Sequence, residues 1–421
     1  MKTHSAVSMR RDSLVTLIPA MVLAAMLSGS VCKASGDAEP AVASRLQNDE
    51  PRHCRCLWTV DPTTAATISW STLTDAGPHL VRFRLAGTGP WHDLPAHRNG
   101  RFTGDEMELH YHHARLRDLT PGSDYQVVCV SAARESRIYT FRTAPIDDVP
   151  VSLLFGADSR SDREARRKMN AMLANMVAES YSAKRAPILA LAHGGDYVVD
   201  GNRIDLWNGW LSDYEATTSQ DRLLPLIPAR GNHDVGKIFN ELFDFDPQFR
   251  DYYAIDLGSQ IRFVTLNTET SVAGDQTKWL DQELRTSRPE YRWLVAQYHR
   301  PAIAAVKLPF RALTYWVPLF EKYNLDLACE GDGHCIKRTA PIRRNQVDST
   351  GVVYIGEGGL GVEQRAPKVD RWFLREPHGK AGEGHHVQLL TFGPEAIQYR
   401  AVLMGGEIFD DHRIPVRGAA K

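Results

Sequence analysis

Five short segments of this 421-residue chain place a side chain that seeks metal or phosphate at the end of an apolar run. They are 157–160 (Ala-Asp-Ser-Arg), 195–197 (Gly-Asp-Tyr), 231–234 (Gly-Asn-His-Asp), 298–301 (Tyr-His-Arg-Pro) and 331–334 (Gly-Asp-Gly-His). Asp, Asn and His suit borderline and hard ions of charge two or three. Each segment alone has an ordinary reading. A strand-end aspartate caps the next helix, Gly-Asn makes a turn, and a lone histidine is commonly a satisfied core residue. Together, in this order and after strand-like runs, they read as the liganding loops of a two-metal phosphoesterase. Such a pair of ions polarises a phosphate and turns water into a nucleophile near neutral pH.

Arg160 cannot bind a metal but can fork onto phosphate oxygens; its bland alternative is a structural salt bridge. Asp332 is either a ligand, a helix cap or a hydrogen-bonding partner of His334. Asp234 is placed to orient His233, and His233 with Arg160 would stabilise charge developing on a phosphoryl group.

The elements that must position these residues fall into two blocks. Residues 53–145 alternate apolar and polar with turn signals between, as in a β-sandwich, with strands expected at 66–71, 80–85, 109–116, 125–131 and 137–142. Thr143-Ala144-Pro145 breaks that pattern. From Val151 strands alternate with amphipathic helices. Strands are expected at 151–155, 188–192, 223–227, 252–256, 261–265, 293–296 and 325–328. Helices are expected at 161–180, opened by a Ser161/Glu164 capping box, over the face of Ile204, Trp207, Trp210, Leu211 and Tyr214, at 276–284 and at 313–323. The end is β-rich at 352–355, 387–391, 396–403 and 407–410. Every metal-seeking segment then lies just past a strand end, the rim where open α/β sheets bind ligands.

Composition bounds the rest. The chain is 43% apolar and 24% charged with net charge −1, ordinary for a soluble globular protein, and nothing basic enough supports nucleic-acid binding. Residues 1–34 carry Lys2, Arg10 and Arg11 ahead of an apolar stretch from 14 to 31, a secretory signal pattern. An uncleaved membrane anchor is the alternative. Cleavage takes the net charge to −4, leaves no apolar run long enough to span, and gives a secreted or periplasmic protein. Five cysteines remain, Cys54, Cys56, Cys129, Cys329 and Cys335, and export makes pairing possible. Cys129 could join Cys54 or Cys56, and Cys329 could join Cys335. His112 and His113 point to opposite faces of a strand, so at most one meets the second block. Residues 357–361 read as a loop bordering the pocket, and His385 and His386 as rim residues without supporting spacing.

The segments resemble the purple acid phosphatase branch of the calcineurin-like metallophosphoesterases. Further likenesses are His112-His113, the 136–145 stretch Ser-Arg-Ile-Tyr-Thr-Phe-Arg-Thr-Ala-Pro, Leu266 through Thr270, Gln276 with Trp279-Leu280, and His334 through Thr339. After the signal pattern (1–34) and a linker (35–52), the resemblance implies a small all-β fibronectin type III-like sandwich (53–145) and a four-layer αββα metallophosphoesterase sandwich (146–415). It implies two metal ions (iron, zinc, manganese or another divalent ion) and a phosphorylated small-molecule substrate. Asp158 resembles the first-metal aspartate, Asp196 the bridging carboxylate, Asn232 and His299 second-metal ligands, His334 the first-metal histidine, and His233 the histidine beside phosphate or leaving group.

Three positions depart from the family. Asp332 stands where its final motif has a histidine. Val199 stands where the purple enzymes place an iron-binding tyrosine, and Tyr197 is out of place for that role, so no tyrosinate–iron colour is expected. The histidine pair expected after His299 has no counterpart in 304–311, where Lys307 is the available substitute. Two functions stay open: an exported metal-dependent phosphoesterase, monoesters ahead of diesters, and a non-catalytic or weakly active cell-envelope binding protein on a decayed form of the same fold.

Overall fold

The computed structural model describes residues 50–104, 107–182, 186–245 and 250–417. The expected leader and most of the expected linker lie outside the described residues. Strands Val151–Gly156, Ile188–His193 and Trp293–Tyr298 are buried at every position. Near-continuous apolar runs of this kind form where a sheet is covered on both faces.

Two sheets carry the second block. In the first, Ile408–Pro415, Ala396–Leu403, His386–Phe392, Val151–Gly156, Ile188–His193 and Leu226–Pro228 lie side by side in that order. In the second the order is Tyr253–Asp256, Ile261–Thr265, Trp293–Tyr298, Leu327–Glu330, Val353–Gly356, Ile336–Arg338 and Lys380–Gly382. The sheets face each other across one core, where Leu153, Phe155 and Ile227 share a cluster with Phe263, Val295 and Ile355. Helices Arg163–Ser182 and Ile204–Tyr214 cover the outer face of the first sheet through Met169, Leu173, Trp207 and Trp210. Helices Asp275–Ser287 and Val317–Lys322 cover the second through Leu280, Leu284 and Phe320. The result is a helix–sheet–sheet–helix sandwich.

The N-terminal block is a small β-sandwich. Trp70 from one sheet and Val81, Val127 and Phe141 from the other are buried in its core. Tyr125 Oη accepts the Thr120 N–H at 2.8 Å and so locks its corner. Its cysteines Cys54, Cys56 and Cys129 are buried and free, as are Cys329 and Cys335.

The two blocks share a sheet. Strand Arg52–Leu57 runs parallel to Leu226–Pro228 with Leu57 opposite Leu226, and the Trp58 N–H donates to Leu226 O at 2.9 Å. Ala66–Thr72, Glu108–Leu116 and Arg98–Thr103 extend it to ten strands. Core residues Trp58 and Ile68 belong to the cluster that holds Leu153 and Val295.

Some local expectations change. The 163–182 helix is capped by Asp162, whose Oδ1 accepts the Ala165 N–H at 3.0 Å, and not by Ser161. The 313–323 helix is two pieces, Ala312–Tyr315 and Val317–Lys322, because Pro318 lacks the N–H that would continue one into the other. Strands Arg52–Leu57 and Arg98–Thr103 have no apolar alternation to announce them. Arg55 is nonetheless 1% exposed, its guanidinium donating to the carbonyls of His53 and Leu242 at 3.0 and 2.7 Å.

Candidate metal centre

The five segments follow the C-terminal ends of five strands. Three belong to the first sheet (Val151–Gly156, Ile188–His193, Leu226–Pro228) and two to the second (Trp293–Tyr298, Leu327–Glu330), parallel within each group. The chain then turns sharply. Asp158, Asp196, Asp332 and His334 all take left-handed backbone conformations, with φ of 58°, 60°, 67° and 61°. A non-glycine residue there costs about 1–2 kcal/mol, and such strain persists where the surroundings over-determine it. Gly231 permits the closest approach: a Cβ there would stand 2.2 Å from the Asp196 nitrogen and 2.4 Å from Asp196 Oδ1.

These turns bring six expected ligands together. Asp158, Asp196 and His299 offer ligand atoms that all lie within 4.8 Å of one another, and all three residues are buried. His299 Nδ1 donates to Gly194 O at 2.9 Å, which leaves Nε2 as an acceptor in the neutral ring. That Nε2 faces three oxygens: Asn232 Oδ1 at 3.1 Å, Asp196 Oδ1 at 3.3 Å and Asp332 Oδ1 at 3.7 Å. Four lone-pair donors aimed at one another require a cation or a proton between them. Burial by itself would strip a proton from His299, but the Asp196, Asp158 and Asp332 carboxylates outweigh it and raise the ring's pKa well above 6.5. Burial would likewise raise Asp196, and the His299 ring with the His233 N–H reverses that and lowers it.

On the other side, His334 Nδ1 donates to Glu363 O at 3.0 Å and Nε2 stands 3.3 Å from Asp158 Oδ1. Both of those facing atoms are buried without a hydrogen-bond partner. An unsatisfied carboxylate oxygen opposite an unsatisfied imidazole nitrogen is the arrangement a metal ion resolves. The donor set therefore fits a pair of ions, one beside Asp158 and His334, one beside Asn232 and His299, with Asp196 between.

The remaining expected residues behave differently from one another. Arg160 Nε donates to Asp196 Oδ2 at 3.2 Å, and its Nη nitrogens hold no hydrogen bond among the described residues. The His233 N–H donates to Asp196 Oδ1 at 2.9 Å, while its Nδ1 is bound to Val199 O at 2.7 Å. Asp234 does not orient the His233 ring, and that expectation is corrected. Its carboxylate accepts the N–H groups of Gly231, Asp196 and Tyr197 at 2.8, 2.8 and 2.9 Å, so it clamps two ligand loops together. Asp332 is not a cap: its N–H donates to Asp158 Oδ2 at 2.9 Å and its Oδ1 accepts Lys307 Nζ at 2.5 Å. Tyr197 is fully buried among Trp207, Trp210, Phe239 and Phe243. His113 Nε2 donates to Glu241 O at 2.7 Å across the blocks, whereas His112 stacks on His79 inside the sandwich. His385 and His386 hold the backbone of the 359–384 region through Gly359 O and Gly384 O.

Sequence reasoning missed the support beneath the centre. Lys337 Nζ sits between Glu330 and Glu357 and donates to Ile303 O at 2.7 Å, and all three charged side chains are fully buried. Glu330 Oε1 accepts the Ala302 and Ile303 N–H groups and the Tyr298 hydroxyl, and Glu357 Oε1 accepts the Ala305 N–H. The only available signal was a lysine and two glutamates inside or beside apolar strands.

Fold and centre together are a helix–sheet–sheet–helix sandwich with a buried carboxylate–histidine group that fits metal at the strand ends. Residues 51–143 match the family model for the purple acid phosphatase N-terminal domain, and residues 169–335 that for the calcineurin-like phosphoesterases. The chain thus carries a region similar to the purple acid phosphatase N-terminal domain followed by one similar to the calcineurin-like phosphoesterases. Uncharacterized proteins from two strains of Mycobacterium tuberculosis are 24% identical over 348 residues, which is 72% of this chain. The match spans 62% of the length of those relatives. Human acid phosphatase type 7 is 23% identical over 71% of this chain and 75% of its own. Among solved structures, a purple acid phosphatase from yellow lupin seeds superposes with a TM-score of 0.71 at 16% identity, covering 87% of this chain and 74% of its own. PhoD superposes at 0.63 with 11% identity, over 87% and 89%. Both likenesses concern the fold.

Proposed function

We propose that the chain is an exported phosphoesterase that hydrolyses phosphate monoesters at this centre. The observation that carries it is the unpartnered Asp158 Oδ1–His334 Nε2 pair, 3.3 Å apart and next to the three oxygens around His299 Nε2. Asp158, Asp196 and His334 would hold one ion, and Asp196, Asn232 and His299, with Asp332, the other. Bound ions would polarise the phosphoryl oxygens and lower the pKa of attached water.

The chain's own residues then do three things. The His233 and Asp332 N–H groups fix the carboxylates of Asp196 and Asp158. Arg160, anchored by Nε on Asp196, presents its Nη nitrogens to a phosphate oxygen in a fixed direction. His233, anchored by Nδ1 on Val199 O, keeps Nε2 to offer to a leaving-group oxygen. Val199 and Val235 are exposed beside it and offer an apolar lip to the organic part of an ester. The signal pattern at 1–34 supports export, with membrane anchoring as its alternative. Tyr197's burial in the aromatic cluster and Val199 at the family's tyrosine position support a colourless protein.

Asp196→Asn is the direct test. Metal content and release of phosphate from an aryl phosphate should both be lost while circular dichroism stays native; turnover retained in this variant removes the bridging role. A non-catalytic binding protein is the second reading, favoured only by the engagement of Asp332 with Lys307. Metal bound at about two ions per chain without turnover would establish it.

A further inference from the structure

Lys307 lies on the loop that follows His299, where the sequence offers it in place of a histidine pair. Its ammonium is 2.5 Å from Asp332 Oδ1. That same oxygen is 3.7 Å from His299 Nε2, so it is the Asp332 atom that faces the second-ion position. The Asp332 side chain is 6% exposed and Lys307 41%. Lys307 therefore reaches in from solvent to a carboxylate that is nearly closed off.

The reach is built into the loop. Ala305 N–H is held by Glu357 Oε1 at 2.6 Å, Lys368 N–H donates to Ala305 O at 3.0 Å, and Arg371 donates to the carbonyls of Ala304 and Lys307. Asp332 is held equally firmly: its N–H is on Asp158 Oδ2, and Arg365 Nη1 donates to its carbonyl at 3.2 Å. Neither partner needs to move to make the pair.

The charge arithmetic is informative. Histidine at the second-ion position would be a neutral ligand. An aspartate adds one negative charge, and the adjacent ammonium removes it. We infer that Lys307 and Asp332 work as one charge-neutral unit in which the ammonium holds Oδ1 and limits the grip of the second ion. The first ion, beside Asp158 and His334, has no such competitor among the described residues. The inference rests on the metal-centre reading above.

Two unit charges a few ångströms apart interact strongly in a partly closed site, so the expected tightening of the second ion in Lys307→Met is at least about tenfold. The experiment is calorimetric titration of metal-stripped full-length protein with manganese and, separately, zinc. Wild type should show one tight and one weaker ion. Lys307→Met should tighten the weaker ion alone, and Lys307→Arg, which keeps the charge, should behave as wild type. Thermal unfolding monitors folding of each variant. A second ion bound equally well, or less well, by Lys307→Met overturns the inference while leaving the centre standing. A wild type that takes up no ion overturns the centre itself, and the inference with it.

Discussion

At the scale of single residues, carboxylates of like sequence context do unlike work. Asp158 and Asp196 point an oxygen at a histidine nitrogen, whereas Asp234 spends both oxygens on the backbone N–H groups of Gly231, Asp196 and Tyr197. Asp234→Ala should accordingly unfold at lower urea, by about 3 kcal/mol if each lost bond contributes about 1. Unchanged stability with a lower kcat would instead give Asp234 a direct part in the chemistry. Asp332→His exchanges a charged ligand for a neutral one beside Lys307. It should change which ion the protein retains after purification, read by elemental analysis, and an unmoved metal content would remove Asp332 from the ligand set. At this scale the sequence showed which residue types converge, because each follows an apolar run. It did not show the hydrogen bonds that divide them into ligands and clamps, since these depend on left-handed turns at Asp158, Asp196, Asp332 and His334 that only Gly and Asn usually advertise.

Among the elements, the loop after His299 is tied to the strand Leu327–Glu330 and to the 357 region by one buried cation. Lys337 joins Glu330 and Glu357, and those carboxylates in turn hold the N–H groups of Ala302, Ile303 and Ala305. Lys337→Met leaves two facing carboxylates without a counter-charge in a fully buried place. A loss of about 3–5 kcal/mol is expected in denaturant unfolding; a change below 1 kcal/mol would mean one glutamate is already neutral. Long apolar elements such as Val151–Gly156 and Ile188–His193 were plain from sequence because burial on both faces demands them. Strand Arg52–Leu57 was not, because its buried Arg55 is satisfied by the carbonyls of His53 and of Leu242 in the other block, which no local pattern reveals.

For the whole molecule, the blocks meet through polar groups that are sensitive to acid. His113 is fully buried between Ser69 Oγ at 2.6 Å and Glu241 O at 2.7 Å, an arrangement that suits the neutral ring. Burial pushes its pKa down from 6.5 to about 3. The unfolded chain therefore takes up a proton near pH 6.5 that the folded chain refuses. The stability present above pH 6.5 is lost as pH falls from there toward 3, by about 1.4 kcal/mol per unit for this one group. His113→Gln should flatten the fall between pH 6.5 and 5 in urea titrations; an unaltered slope would place the acid sensitivity elsewhere.

The parallel pairing of Leu57 with Leu226 also has a consequence for how the chain comes into being. A ribosome delivers Arg52–Leu57 early, yet its neighbour on one side emerges only after the helices Arg163–Ser182 and Ile204–Tyr214 have been made. The nascent N-terminal half must wait with one backbone edge unzipped, an edge that invites other chains. Newly made protein should thus lean on a holdase until Leu226–Pro228 arrives, and splicing the second block onto a foreign module would deprive it of a border that the donor cannot replace.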